Sequence, residues 1–179
     1  MHRIIKIKNY ILIRNAFNLM LSSGVISIFW FVFWIIIARN FTSHDVGIAT
    51  TLISSALLIS LLGQAGFDTT FILFLPKAKN KNAHINTGLA VSGIMSATIA
   101  ALFCIASPLF SERLSFLATN PGYAAMFIGF VVFATWNTLT NAALIAYRKT
   151  VYVLIIDLLF SIVKVSLPFF IVSGGPMTI

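Results

Sequence analysis

Residues 15–38 read NAFNLMLSSGVISIFWFVFWIIIA and contain no charged side chain. A helix needs about 20 consecutive apolar residues to cross the roughly 30 Å hydrocarbon core of a bilayer, and this run is long enough. The segment before it is basic, as the start of a signal peptide would be. However, the apolar run is too long for one, and residues 37–40 (IARN) do not form a small-residue cleavage site. We therefore expect a retained first transmembrane helix.

Four further apolar runs of similar length follow the first. They are much longer than the strands of a membrane barrel and lack inside–outside alternation. Helices satisfy the backbone polar groups within one segment, as lipid requires. The predicted spans are residues 15–38, 46–75, 86–110, 123–147 and 151–172. The sequence thus predicts an all-α integral membrane protein, with residues 1–179 forming a single domain of five transmembrane helices.

The composition agrees with a lipid-embedded chain. Hydrophobic residues make up 59% and charged residues 9% of the chain, whereas soluble domains contain about 45–50% and about 25%. The net charge of +8 does not indicate a nucleic-acid partner, because Lys and Arg lie in short patches between apolar runs rather than on one folded face. The expected partner is the lipid bilayer itself.

The basic residues also predict the orientation. Nine lie in segments on one side of the predicted bundle: Arg3, Lys6, Lys8, Arg14, Lys77, Lys79, Lys81, Arg148 and Lys149. The other side has only Arg39 and Arg113. By the positive-inside rule, the N-terminus is cytoplasmic and the C-terminus lies outside. The chain is expected to be a multi-pass protein of the cytoplasmic membrane.

Polar residues within the fifth span are candidates for function. Asp157, Ser161 and Lys164 share one helix face at i, i+4, i+7, and a charge at the bilayer centre costs about 2.5–3.5 kcal/mol. The axial rise between Asp157 and Lys164 is about 10 Å, too long for an easy direct pair. Two interpretations remain: a polar cavity for a charged substrate or coupling ion, or contacts between helices with Lys164 snorkelling to the interface.

Three other predicted helices carry similar polar stripes. They comprise Arg14, Asn18 and Ser22 on the first helix, with Arg14 just before the span, Gln64 and Asp68 on the second, and Asn137 and Asn141 on the fourth. A bundle around an aqueous cavity would show such stripes. So would helices joined by hydrogen bonds worth about 0.6 kcal/mol each, and for Asn137 and Asn141 we prefer the second interpretation.

No pattern typical of catalysis occurs in the sequence. His2, His44 and His84 lie in the tail and loops, and no two have the spacing of metal ligands. A glycine-rich phosphate loop and a nucleophile–base signature are also missing. We therefore expect no enzyme activity, no metal and no cofactor.

Two short stretches resemble a known transporter family. Residues 38–47 (ARNFTSHDVG) resemble the first-turn signature of polysaccharide flippases, in which an Ala-Arg pair ends the first span and a Gly opens the second. Residues 62–67 (LGQAGF) and the basic loop after Pro76 are also similar to that family. The chain thus resembles the N-terminal part of an O-antigen or lipopolysaccharide transporter. That family belongs to the multidrug/oligosaccharidyl-lipid/polysaccharide exporter group.

The resemblance implies a flippase that moves undecaprenyl- or dolichyl-linked sugars across the inner membrane by alternating access. It also implies that basic cavity residues contact the lipid diphosphate. The matching positions are Arg14 and Arg39, with Lys164 as an inferred cavity cation, and such cations suit a diphosphate. Family members contain a second helical bundle, as repeat-built transporters do. We therefore expect this chain to be a fragment or to need a C-terminal half or partner chain.

Two alternatives stay open. The chain could be a drug/cation antiporter of the same wider group, in which Asp68 or Asp157 is the ion-coupling carboxylate. It could also be a membrane assembly subunit that transports nothing.

Overall fold

The computed structural model describes the backbone of residues 2–173 and the side chains of residues 13, 15–159, 161 and 162. The seven α-helices are α1 (His2–Asn40), α2 (Ser43–Gln64), α3 (Phe67–Phe74), α4 (Lys81–Phe110), α5 (Phe116–Thr119), α6 (Pro121–Ala146) and α7 (Thr150–Ser173). Residues 2–173 contain no strand. The prediction of an all-helical fold is confirmed.

Among the described residues, four helices are long and apolar enough to cross a membrane. They are Asn15–Asn40 of α1, α2, α4 and α6. Large apolar side chains such as Phe31, Ile94 and Leu102 are exposed on their surfaces, and contiguous apolar surface of this kind is unusual on a soluble monomer. These helices have the character of a membrane protein. For α7, only Thr150–Leu159 enters this comparison, so the fifth span stays a prediction.

The predicted second span, residues 46–75, is two helices in the structure. Ala65 and Gly66 have φ values of 46° and 79°, so the backbone leaves the right-handed helix between α2 and α3. Gly adopts this left-handed conformation without a steric penalty, whereas Ala does so at some cost. The Ala65 N–H donates to the Leu62 carbonyl at 3.2 Å. A 3₁₀ turn at Leu75–Lys77, containing Pro76, then ends the segment.

Thr42 caps the N-terminus of α2. Its Oγ1 accepts a hydrogen bond from the Asp45 N–H at 3.2 Å, and its hydroxyl donates to the Asp45 carboxylate at 2.6 Å. The sequence predicts Thr42 or Ser43 at this position, and the structure selects Thr42. A hydroxyl acceptor and a carboxylate both stabilise the first turn of a helix, where N–H groups lack internal partners.

The chain divides into two compact units. The terminal unit contains α1, the start of α2 up to Val46, and α7. The central unit is Gly47–Tyr147 and contains the rest of α2 with α3–α6. The prediction that residues 1–179 form a single domain stays a prediction.

Two apolar clusters form the core of the central unit. One includes Ile59 of α2, Cys104 of α4 and Val131 of α6. The other joins Phe71 of α3 to Leu139 of α6. The clusters tie α2, α3 and α4 to α6, so α6 is the helix around which the central unit packs.

Small residues bring α2 and α4 into close contact. A Cβ atom added at Gly63 would lie 2.5 Å from the Cβ of Ser96, which is fully buried. Close approach at small residues is the usual packing mode of membrane helices.

Two hydrogen bonds join α6 to its neighbours. The Trp136 Nε1–H donates to the Leu89 carbonyl of α4 at 2.9 Å, with the indole lying against Gly93. On the α2 side, the Thr135 hydroxyl donates to Ser60 Oγ at 3.1 Å, and both side chains are buried. The central unit thus combines close packing with a few bonds between helices.

Gly63→Ala is expected to destabilise the central unit by about 1–3 kcal/mol, because the added methyl group overpacks the contact with Ser96. The measurement is thermal unfolding of the purified chain in detergent. Gly129→Ala in α6 is the matched control, since a Cβ there meets nothing within 4 Å and should be neutral or slightly stabilising. Equal melting temperatures for the two variants would contradict the close α2–α4 contact.

Candidate functional site

A row of hydrogen bonds joins α1 to α7 within the terminal unit. The Thr150 hydroxyl donates to Asn15 Oδ1 at 3.1 Å, and the Asn18 Nδ2–H donates to Thr150 Oγ1 at 3.4 Å. One turn beyond Asn18, the Ser22 hydroxyl donates to the carboxylate of Asp157. We call these five residues, Asn15, Asn18, Ser22, Thr150 and Asp157, the polar seam.

The polar seam sets the relative direction of the two helices. From Asn15 to Ser22 the chain advances seven residues along α1, and from Thr150 to Asp157 it advances seven along α7. The two helices are therefore parallel and in register. The predicted topology requires the parallel direction, because its first and fifth spans both begin on the cytoplasmic side.

The groups of the polar seam are mostly shielded. Ser22 is 3% and Thr150 is 2% exposed, while Asp157 is partly buried. A carboxylate in apolar surroundings is costly unless donors bind it, and Ser22 supplies one. This contact places a partner for Asp157 on another helix, and the cavity interpretation of Asp157 stays a prediction. A carboxylate can accept several hydrogen bonds, and among the described side chains only Ser22 donates one to Asp157.

The three predicted cavity cations are only partly described. The side chains of Arg14 on α1 and Lys164 on α7 lie outside the described residues. Arg39 is exposed in the last turn of α1. A cation at a helix C-terminus is stabilised by the helix dipole, so Arg39 has a structural reason to be there as well as the suggested functional one.

The remaining predicted site residues belong to the central unit. Asp68 is partly buried in the first turn of α3, and the Thr69 hydroxyl lies 3.5 Å from its carboxylate. Asn137 and Asn141 are partly buried on α6. The Oδ1 atom of Asn141 is buried and has no hydrogen-bond partner among the described residues. A buried carbonyl oxygen without a donor is available to a water or to a donor on a ligand.

Sequence reasoning missed Asn15 and Thr150. The predicted fifth span begins at residue 151 and leaves Thr150 out, whereas the structure makes Thr150 the first residue of α7 and the centre of the polar seam. Asn15, Asn18 and Ser22 follow i, i+3, i+7 spacing, which is typical of a helix contact face. That spacing, together with the seven-residue interval from Thr150 to Asp157, was the available signal.

Within the described residues, no three His, Cys, Asp or Glu side chains come close enough to hold a metal ion. No protein-family model, curated protein or solved structure matches the chain. The candidate site is therefore defined by its own geometry, with the polar seam as its most developed part.

Paired cysteines test the register of α1 and α7. In a Cys104→Ala background, which removes the only native cysteine, Asn15→Cys with Thr150→Cys is expected to form a disulfide on mild oxidation. Peptide mass spectrometry detects the bond. The control pair, Asn15→Cys with Asp157→Cys, is displaced by about 10 Å along the helix, beyond disulfide reach. Cross-linking of the control pair alone would contradict the parallel register.

Proposed function

We propose that the chain is a multi-pass protein of the cytoplasmic membrane and a module of a flippase for lipid-linked oligosaccharides. The observation that supports this most is the polar seam, because it lies between two apolar helices. Polar and ionisable groups are costly inside a membrane and commonly mark substrate or ion pathways. Asn18 and Asp157, two residues predicted to serve the site, belong to it.

The proposed topology has five spans with the N-terminus in the cytoplasm. The count of basic residues supports it, since the loop containing Lys77, Lys79 and Lys81 would then be cytoplasmic. The parallel direction of α1 and α7 supports the count of five spans independently. Two membrane helices run parallel only if the chain crosses back an even number of times between their starts, as it does between a first and a fifth span.

The proposed substrate determines how the polar residues divide their roles. A lipid-linked oligosaccharide carries a diphosphate between its apolar chain and its sugars. Arg14, Arg39 and Lys164 supply the cations that such an anion prefers. Asp157 would repel the diphosphate, so we assign it to a coupling proton or cation instead. The module moves its substrate without covalent chemistry or a cofactor.

A drug/cation antiporter is the second candidate. Asp157 favours it, because a partly buried carboxylate bonded by one hydroxyl is a suitable carrier of a proton or Na⁺. In this alternative the transported molecule is a cation, and the basic residues have no role in binding it. A non-transporting assembly subunit is the third candidate, in which the polar seam only joins helices.

Cysteine labelling tests the topology. In the Cys104→Ala background, Lys79→Cys is expected to react with a membrane-impermeant maleimide only after the membrane is opened. Arg113→Cys should react in intact cells, because its loop lies outside. Both side chains are exposed, so the comparison reports sidedness rather than burial. Labelling of Lys79→Cys in intact cells would contradict the proposed orientation.

Flipping in proteoliposomes tests the function. In the complete transporter that contains this module, with a fluorescent polyprenyl-diphosphate oligosaccharide, Arg39→Ala combined with Lys164→Ala should slow translocation by about tenfold or more, since each charge-assisted bond contributes about 1.5–3 kcal/mol. Arg113→Ala is the control, because it removes an exposed Arg without a proposed role. Unchanged translocation in the double variant would overturn the assigned roles.

The same vesicles distinguish the alternatives. Proton- or Na⁺-driven efflux of a cationic dye that is lost in Asp157→Asn would favour the antiporter. Stable co-purification with a partner protein, without movement of either substrate, would favour the assembly subunit.

A further inference from the structure

The central unit contains a pocket of about 400 Å³ where α3 ends and α4 begins. Ligand sites commonly have volumes of about 300–1,000 Å³, so this one can hold part of a small molecule or one chain of a lipid. The pocket lies outside the polar seam. None of its lining residues belongs to the predicted site.

The floor of the pocket is apolar and well supported. It is formed by Phe67, Phe71, Phe74 and Leu75. Phe71 and Leu75 are almost fully buried and pack against α6, so this part of the floor is part of the core. Phe74 is 63% exposed, so its ring forms the outer, accessible part of the floor.

A glycine of α4 also lines the pocket. Gly88 lies against the Phe71 ring, and a Cβ atom added there would overlap that ring. The absence of a side chain at this position lets the aromatic floor of α3 pack directly against α4.

The rim of the pocket is polar and positively charged. Lys77, His84 and Thr87 line it, and all three are exposed. Lys79 and Lys81 lie in the same loop region without lining the pocket, and the Lys81 ammonium is 5.5 Å from the centre of the Tyr147 ring. Lys77 is therefore the lysine that faces the pocket.

The charge of this rim is not balanced by nearby acidic residues in the chain. No Asp or Glu occurs between Asp68 and Glu112. Asp68 lies in the first turn of α3, about 13 Å along the chain from Lys77 at helical rise. Among the described residues, neither Lys77 nor His84 forms a salt bridge, so an anionic ligand group would meet no competing carboxylate there.

We propose that this pocket binds an anionic phospholipid, with the phosphate at Lys77 and His84 and one acyl chain over the phenylalanine floor. The acyl chain of such a lipid matches the apolar floor, and its phosphate matches the basic rim. An inorganic anion would leave the aromatic floor uncovered, and an uncharged lipid would leave the rim without a counter-charge. Basic clusters at the cytoplasmic end of membrane helices are also attracted to anionic lipids. The assignment rests on the proposed membrane location but not on flippase activity.

The test is native mass spectrometry of the full chain released from nanodiscs, with phosphatidylglycerol and phosphatidylcholine of identical acyl chains. The chain is expected to bind one phosphatidylglycerol several-fold more tightly than phosphatidylcholine. Lys77→Gln should reduce that preference by about fivefold, the effect of one basic residue near an anionic surface. Lys79→Gln is the matched control, since it removes the same charge from the same loop outside the pocket, and should change the preference less than twofold.

A filling variant tests the acyl-chain part. Thr87→Phe retains every charge and places a ring in the pocket, so the tightly bound lipid should be lost. Because Lys77 is exposed, Lys77→Gln leaves the fold intact and tests the assignment even if Thr87→Phe unfolds.

Three results would overturn the assignment. They are equal effects of Lys77→Gln and Lys79→Gln, unchanged binding in a folded Thr87→Phe variant, and full displacement of the lipid by millimolar inorganic phosphate, which would mean that the rim binds free phosphate. Failure to enter nanodiscs would instead contradict the membrane location. A chain that enters them but does not distinguish the two lipids contradicts the pocket assignment alone.

Discussion

The helices of this chain have apolar side chains both on their contact faces and on their outer surfaces, so apolar character alone cannot select their partners. Selection depends on where backbones can approach and where polar groups can pair. Gly63 against Ser96 and Gly88 against Phe71 show the first kind of contact. Ser60 with Thr135, and Trp136 with the Leu89 carbonyl, show the second. Few residues therefore carry most of the specificity of packing.

The polar seam between α1 and α7 follows the same rule in the terminal unit. Thr150 both donates and accepts a hydrogen bond, and so satisfies two amide side chains at once. Asp157 has a serine partner rather than a cationic one among the described side chains. Among the described side chains, the seam therefore joins α1 to α7 through neutral donors rather than through a salt bridge.

The pocket at the end of α3 depends on a different combination. Its floor is part of the apolar core, its shape requires Gly88, and its rim carries Lys77 in a stretch without acidic residues. An amphiphile combines apolar and anionic parts in the same way that this pocket combines apolar and cationic ones.

The sequence by itself determined the helical class and the apolar surfaces, because these follow from hydropathy and residue spacing along one segment. It narrowed the cap of α2 to Thr42 or Ser43, and the structure selected Thr42. It predicted one helix over residues 46–75, but tertiary structure divided it at Ala65 and Gly66, where the backbone is left-handed at a residue that seldom adopts that conformation. It also could not pair Asn15 with Thr150 or Ser22 with Asp157. Those partners are 135 residues apart, and only the folded chain brings their helices together in register.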